Sequence, residues 1–477
     1  MNTQSQKKID RRARLKLPPI HAGQRSAEER VRDFEEILVL HTPALAQAEA
    51  GRCLHCPQAP CQQACPLHND IPRALALLEE EDIAGAANVY RETNPLPEIC
   101  GRICPQHFCQ DACTLNKMGK PIDTRHLEAF VATYQSEHLE IPRPAIAPAT
   151  GKRVAIVGGG PAGLAVAEFL TCKGHAVCVY EQYAQPGGLL LYGIPNFKLN
   201  KALVEAKIHR LETLGVRFQC DTAVGQDITV PALQEEYDAL FLGIGASIHI
   251  RPGLPGEELQ GVYEAIEFLC RTNLPPEILP PEWQEPFVVG PRVHVLGGGN
   301  TAVDCLRSAV RWPGVREATC YYRRSQTEMP ATEEEYQHAV EEGANFVWLA
   351  CPTQFLGNAE GQLEAVVYQR MQLGEPDESG RRRPEPIPGQ KFTIKADTVV
   401  LALGSRPDKT FAARVPGLVT HRRGMLEVDT QQTGRTGAPG VFAAGDVVRG
   451  ADLLAPVLAD ALHVAETMDA YLTGAEA

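Results

Sequence analysis

Beyond residue 150 the chain repeats one pattern of apolar and polar positions. "RVAIV" (153–157) is an apolar run of strand length, "PAGLAVAEFL" (161–170) continues with helical spacing, and "AVCVY" (176–180) is a second short apolar run. Strand, glycine turn, helix and strand in that order predict a βαβ unit of a parallel sheet. The order returns in "RVHVLGGGNTAVDCLRSAV" (292–310) followed by "ATCYY" (318–322). Strand, turn and helix recur in "GVFAAGDVVRGADLLAPVLADALHVAETM" (440–468). Before the proline-rich linker "IPRPAIAPATGK" the pattern differs: "IPRALALLEEEDIAGAANVYRETNPLP" (71–97) places apolar residues at helical spacing and predicts a small helical domain. No run of about 18 apolar residues occurs, so no membrane-spanning helix is expected. The expected fold class is α/β with Rossmann-like units behind an α-helical N-terminal domain.

The 477 residues are 44% hydrophobic and 22% charged, enough to bury real cores, and a length for about three domains. A net charge of −13 argues against a general nucleic-acid binder, whose affinity rests on lysines and arginines. The first residues run the other way: Lys7, Lys8, Arg11, Arg12, Arg14 and Lys16 form a basic arm. No apolar stretch follows it, so it does not read as a signal peptide. It reads as a solvated, flexible terminus, with docking on an acidic partner as the alternative. A soluble cytoplasmic protein is the expectation.

Eight of the 15 cysteines lie between 53 and 113. Cys53, Cys56, Cys61 and Cys65 read C-x2-C-x4-C-x3-C; Cys100, Cys104, Cys109 and Cys113 read C-x3-C-x4-C-x3-C. A reducing compartment disfavours a disulfide framework, so the clustered thiols point to metal. Zinc sites use paired C-x2–4-C knuckles. Here Pro66 follows Cys65 and Pro105 follows Cys104. A C-x3-C-P ending recurs in two-cluster ferredoxins, where the last cysteine ligates the other cluster. Iron–sulfur clusters are therefore the favoured reading, zinc the competing one. The seven scattered cysteines read as buried reduced thiols.

In the first βαβ unit, Gly158, Gly160 and Gly163 stand between strand and helix, and Glu181 ends the second strand. These glycines let backbone N–H groups approach a pyrophosphate at a helix N-terminus, and the acid suits a ribose hydroxyl. In the later unit Gly297 and Gly299 keep their places and Ala302 takes the sixth, an accepted variant. Its second strand ends in Arg323 and Arg324 rather than an acid. Guanidiniums pair with a 2′-phosphate that an acid would repel, which predicts NADPH over NADH; solvated arginines at a strand end are the plainer alternative. Gly445 and Asp446, between a strand and a helix, suit a flavin's ribityl chain and the electron-rich end of its reduced ring.

Taken in order, "GRCLHC", "NPLPEICGRICPQ", "VGGGPAGL", "PGGLLLYGIPNFKL", "LGGGNTAVDC", "YYRR", "LGEPDESGRRRP" and "AAGDVVRGADL" resemble the small (beta) subunit of bacterial glutamate synthase and its relatives, over about residues 30–477. The resemblance implies two nested, glutathione-reductase-like dinucleotide domains. Residues 1–148 would form the helical domain with two [4Fe–4S] clusters. Residues 149–288 and 399–477 would bind FAD, and an inserted domain, 289–398, NADPH. It implies FAD contacts at Gly158, Gly160, Pro161, Ala162, Gly163, Glu181, Gly188, Leu189, Gly445 and Asp446, and NADPH contacts at Gly297, Gly299, Asn300, Thr301, Arg323 and Arg324. The cluster ligands it implies cross the two cysteine sets. Cys53, Cys56, Cys61 and Cys113 hold one cluster; Cys65, Cys104 and Cys109 hold the other, with Glu128 as fourth ligand and Cys100 as its rival. No two cysteines after 113 form the redox C-x-x-C of the disulfide reductases. Ala461 and Leu462 replace a Gly-Arg pair usual in the family.

The function so implied is electron input. NADPH gives up a hydride, clusters accept single electrons, and a flavin does both. Hydride transfer needs alignment rather than a general acid or base; Lys198 is the one candidate near the flavin, a solvated lysine being the alternative. The chain is too short to add a glutaminase, a synthase barrel and FMN, and residue 2 is Asn, not the cysteine nucleophile of a glutaminase. The expected partner is therefore a separate large subunit of glutamate synthase. Alternatives are a standalone or different-partner reductase, acting on ferredoxin or a pyrimidine, and a metal-stapled interaction module without catalysis.

Overall fold

The computed structural model describes residues 9–421, 423–429, 431 and 433–475. Lys7 and Lys8 lie outside them.

The N-terminal region is helical. Ile71–Glu79 is a helix because Asp70 accepts the Arg73 N–H at its start, Pro72 sits in its first turn, and Ile71, Ala74, Leu75 and Leu78 form one buried face. That face meets Ala86, Val89 and Tyr90 of the helix Ile83–Arg91, and Leu127, Phe130 and Val131 of the helix Thr124–His138. Full burial of Leu75 and Leu78 contributes about 1.5–3 kcal/mol each. Cys53, Cys56, Cys61, Cys109 and Cys113 pack against this same core.

The remainder alternates strands and helices. In chain order the strands are β1 (Arg153–Val157), β2 (Ala176–Tyr180), β3 (Arg217–Gln219), β4 (Ala239–Leu242), β5 (Val262–Glu264), β6 (Arg292–Leu296), β7 (Glu317–Tyr322), β8 (Asn345–Trp348), β9 (Ala350–Gly357), β10 (Leu363–Pro376), β11 (Arg382–Lys395), β12 (Thr398–Leu401) and β13 (Val441–Ala443). They sort into two five-stranded parallel sheets, ordered β13-β4-β1-β2-β3 and β8-β7-β6-β12-β5. A three-stranded antiparallel sheet, β9-β10-β11, covers one face of the second through Tyr321, Val366, Tyr368 and Leu401. The helices Ala265–Asn273 and Asn300–Arg311 cover its other face.

Strand order shifts the boundaries expected from sequence. β5 and its helix Ala265–Asn273 belong to the second sheet, not to the 149–288 segment, and β12 (398–401) is a central strand of that sheet. The short pair Ile248–His249 with Ser405–Arg406 marks where the chain crosses between the two units. The glycine fingerprint announces β6, but a parallel sheet takes strands from before it as well.

The basic arm is not free where it is described. Arg11–Arg14 forms a single helical turn. Arg11 donates to the Leu54 and His55 carbonyls at 2.9 and 3.0 Å, and Arg14 to the Cys53 carbonyl at 2.7 Å and to Glu79 at 2.6 Å. The expectation of a solvated terminus is corrected for Arg11 and Arg14: their partners are backbone carbonyls some 40 residues on, which composition does not reveal.

Candidate redox site

The loop carrying the first cysteines is bent against its own preferences. His55, Ala59 and His68 hold positive φ of 45°, 40° and 52°, a region that costs a side-chain-bearing residue about 1–2 kcal/mol. Such strain persists only where surrounding structure fixes it and gathers at functional sites. Here the Arg11 and Arg14 hydrogen bonds grip the bend. Cys53, Cys56, Cys61 and Cys113 line one small cavity whose apolar wall includes Leu54, Ile71, Leu75 and Ile122. Burial pushes the thiols of Cys53 and Cys61 up to about 12. They become thiolates only beside a strong positive charge, which coordinated iron supplies.

The second group gathers around Glu128. Its negative charge adds to burial in raising the thiols of Cys65, Cys104, Cys109 and Cys100. Burial pushes Glu128 up to about 8. Asn69 and Asn94 both donate to its Oε1, at 3.2 and 2.7 Å, leaving Oε2 without a hydrogen bond among the described residues. Cys100 is wholly buried, with Sγ 3.6 Å from the Asn94 Oδ1. Glu128 and Cys100 stand on two sides of one asparagine, Asn94. Asn69 and Asn94 were not foreseen; "NPLP" in the sequence hid a carboxylate-orienting side chain behind turn-forming residues.

The first glycine turn is a cradle. Gly158 has φ +101°, and a Cβ there would lie 2.5 Å from the Gly243 carbonyl oxygen. Gly188 faces Gly160, and a Cβ on Gly188 would lie 2.7 Å from the Gly160 Cα. Only hydrogen fits, so backbone can approach a phosphate here. The helix Pro161–Cys172 starts at this turn with Pro161, Ala162 and Gly163. Glu181 is buried and accepts from the Gly159 N–H at 2.8 Å and the Tyr183 N–H at 3.0 Å. Leu189 opens the next helix directly after Gly188 and is exposed. Gly445 returns beside Ala162, and burial pushes Asp446 up to about 6. Every residue the resemblance implied for FAD is therefore at one turn or at a strand end next to it.

In the second unit, Gly297 follows β6, Gly299 caps the helix Asn300–Arg311, and Asn300 and Thr301 open it. Asn300 accepts the Thr332 N–H at 3.1 Å, which ties this turn to the segment after β7. Arg323 is exposed and makes no hydrogen bond or ion pair among the described residues. Arg324 is different: it is buried and already engaged by Asp377 and the Arg382 carbonyl.

Lys198 is not a solvated lysine. Its ammonium contacts Asp304 at 3.0 Å and Glu335 at 2.7 Å, both in the second unit. It is one strut of a buried network. Arg307 and Arg311 bracket Glu342 at 2.8 and 2.6 Å, and both guanidiniums lie over the Phe197 ring, at 4.7 and 4.0 Å. Arg30 reaches the same network from the N-terminal region, bonding Glu341 at 3.0 Å, and Arg125 pairs with Glu334. None of these pairings was foreseen: Lys198, Arg30 and Arg125 reach the second unit from other domains, and Glu342 lies more than 30 residues along the chain from Arg307 and Arg311.

Comparison with known proteins gives these sites their family. Residues 30–139 match the model described as dihydropyrimidine dehydrogenase domain II, 4Fe-4S cluster, and residues 152–466 the pyridine nucleotide-disulphide oxidoreductase model. The glutamate synthase [NADPH] small chain of Halomonas elongata is 38% identical over 452 residues, 94% of this chain and 95% of that one. An Escherichia coli chain named as the oxidoreductase AegA is also 38% identical, over 92% of this chain and 67% of its own length. The fold matches Mycobacterium tuberculosis FprA, solved in complex with NADPH, with a TM-score of 0.58 and 23% identity over 69% of this chain and 86% of that one. The chain belongs to the family of glutamate synthase small chains: it is an NADPH-dependent FAD and iron–sulfur oxidoreductase on a pyridine nucleotide-disulphide oxidoreductase fold.

Proposed function

We propose that this chain is the electron-input subunit of a glutamate synthase and delivers electrons from NADPH to a separate large subunit. When bound, the flavin takes up the electron pair of a hydride and passes electrons on singly to iron–sulfur clusters. The observation that carries the route is where the two cysteine groups sit. Cys65 and Cys100 share one core with Ala162 and Leu190, beside the flavin turn, and Cys104 packs against it. Cys53, Cys56, Cys61 and Cys113 belong to the other core, under the Arg11–Arg14 turn. Cys109 of the Glu128 group packs against this second core and so stands between the two; on this reading the group containing Glu128 is the inner one, and the group containing Cys113 the outer one, nearer a partner.

The residues have simple tasks in this reading. The glycine turns and helix N-termini hold the two pyrophosphates, Glu181 and Asp446 take ribose and ribityl hydroxyls, and Arg323 takes the 2′-phosphate. Glu128 completes the inner ligand set through Oε2, with Asn69 and Asn94 fixing its orientation. Iron and flavin analysis should return about eight irons and one FAD per chain, with zinc absent. Glu128→Ala should remove about half the iron and one cluster's spectroscopic signal, and Cys100→Ser neither; the opposite pattern would make Cys100 the ligand.

A second reading keeps the redox chain and changes the acceptor. It is favoured by Ala461 and Leu462, which depart from the family's usual Gly-Arg, and by the equal identity to AegA. Leu462 lines a cavity of about 820 Å³ between the helical region and the first sheet's helices. Copurification from the native host distinguishes the readings: a glutamate synthase large subunit supports the first, any other redox protein the second.

A further inference from the structure

Arg324 is the residue of the NADPH pair that the fold withholds from solvent. Its Nε donates to the Arg382 carbonyl at 2.7 Å and its guanidinium contacts the Asp377 carboxylate at 2.7 Å. Both partners belong to the hairpin of β10 and β11, and the Arg324 carbonyl accepts the Leu349 N–H just before β9. Asp377 also shapes the hairpin turn. It accepts from the Ser379 N–H at 2.9 Å, and its own N–H bonds the Arg381 carbonyl at 2.8 Å. Arg381 ends the turn, and the strand that follows begins with Arg382 and Arg383. Arg382 is held by the Gly374 and Leu373 carbonyls. Arg383 is exposed and, like Arg323, makes no hydrogen bond or ion pair among the described residues. One latch thus fixes the start of β11, at the Arg382 carbonyl, against Arg324, the residue that follows Arg323.

Resting on the NADPH site proposed above, we propose that the β10–β11 hairpin is part of the 2′-phosphate site. Arg324 and Asp377 are positioning residues that latch it in place, and Arg323 with the hairpin arginines makes the phosphate contacts. Arg324 itself does not touch the phosphate. Two guanidinium sources around one phosphate suit its three acceptor oxygens.

The reading makes a prediction whose sign opposes simple electrostatics. Removing an acid beside a phosphate site should tighten NADPH binding by charge alone. If Asp377 is the latch, Asp377→Ala weakens it. The test compares steady-state constants for NADPH and NADH in the FAD-loaded protein with an artificial electron acceptor. Asp377→Ala and Arg324→Ala should each raise KM for NADPH by about tenfold, the size of one lost charge-assisted hydrogen bond, with kcat little altered and NADH nearly unaffected. The double variant should be no worse than either single one, since both break one latch, and Asp377→Glu should restore part of the preference. Near-normal NADH kinetics in the same variants show that the fold is kept. The inference is overturned if Asp377→Ala tightens NADPH binding or leaves it unchanged while Arg323→Ala still weakens NADPH selectively. If Arg323→Ala also treats both nucleotides alike, the site assignment itself fails.

Discussion

Changing Cys113 to serine should stop NADPH-driven reduction of a protein acceptor while leaving reduction of a small acceptor that draws electrons directly from the flavin. Cys113 comes from the second cysteine set but lines a cavity with three thiols of the first. A serine hydroxyl, which stays protonated, is a poor substitute for a thiolate on iron. The loss should fall on the outer group alone. Glu128, Cys65 and Cys104 lie in another charge cluster, and the flavin turn lies in another core. The helical region leans on its metal, because it is small and its cysteine loop is strained at His55 and Ala59. The variant must therefore be shown to keep its helical circular dichroism and its FAD. With both retained, turnover with the partner should drop to background.

The second large effect is structural. Glu342→Ala should destabilise the protein by about 3–5 kcal/mol, because it strands two buried guanidiniums. Arg307 and Arg311 both have fully buried side chains, and Glu342, equally buried, receives both. Arg307 keeps Glu335 at 2.7 Å, but among the described residues Arg311 has no other carboxylate in contact. Because the two guanidiniums also lie over Phe197, thermal unfolding followed by flavin release should shift as well as unfolding of the second sheet. The pH dependence has a definite sign. Burial alone would raise the Glu342 carboxyl from its ordinary 4.5, but the hydrogen bonds from Arg311 and Arg307 outweigh it and hold the group near about 2. A depressed folded-state value means stability that is complete above about 4.5 and lost as the pH falls towards about 2. The stability gap between the native protein and Glu342→Gln, measured by urea unfolding, should therefore narrow over that acid range and stay level above it. A gap independent of pH would show that the pair contributes packing rather than charge.

What could be read from sequence was what is local. The turns at Gly158 and Gly297 announce themselves because a strand, a glycine turn and a helix are contiguous, and the cysteine sets because their spacing is tight. What could not be read is what joins distant segments. Lys198 looked like a lone lysine; Asp304 lies 106 residues away from it. Arg324 looked like half of a phosphate clamp, until a hairpin more than 50 residues on supplied Asp377. The Arg11–Arg14 turn looked like a solvated tail because nothing in a basic run says which carbonyls will receive it. The domain boundary was misplaced for a related reason: β5 carries no fingerprint of its own, and only its pairing with β12 assigns it to the second sheet. Glu128 was reached through the family resemblance; its burial with Asn69 and Asn94 supplies a physical reason that spacing did not.

The central claim is an order: nucleotide, flavin turn, inner cysteine group, outer cysteine group, partner. Anaerobic stopped-flow mixing of NADPH with the Cys113→Ser protein, folded and loaded with FAD, tests it most directly. The account predicts that the flavin absorbance bleaches at close to the native rate while no electrons reach the partner. A flavin that fails to bleach in this folded, FAD-loaded variant would contradict the account, because the outer cysteine group would then lie upstream of the flavin.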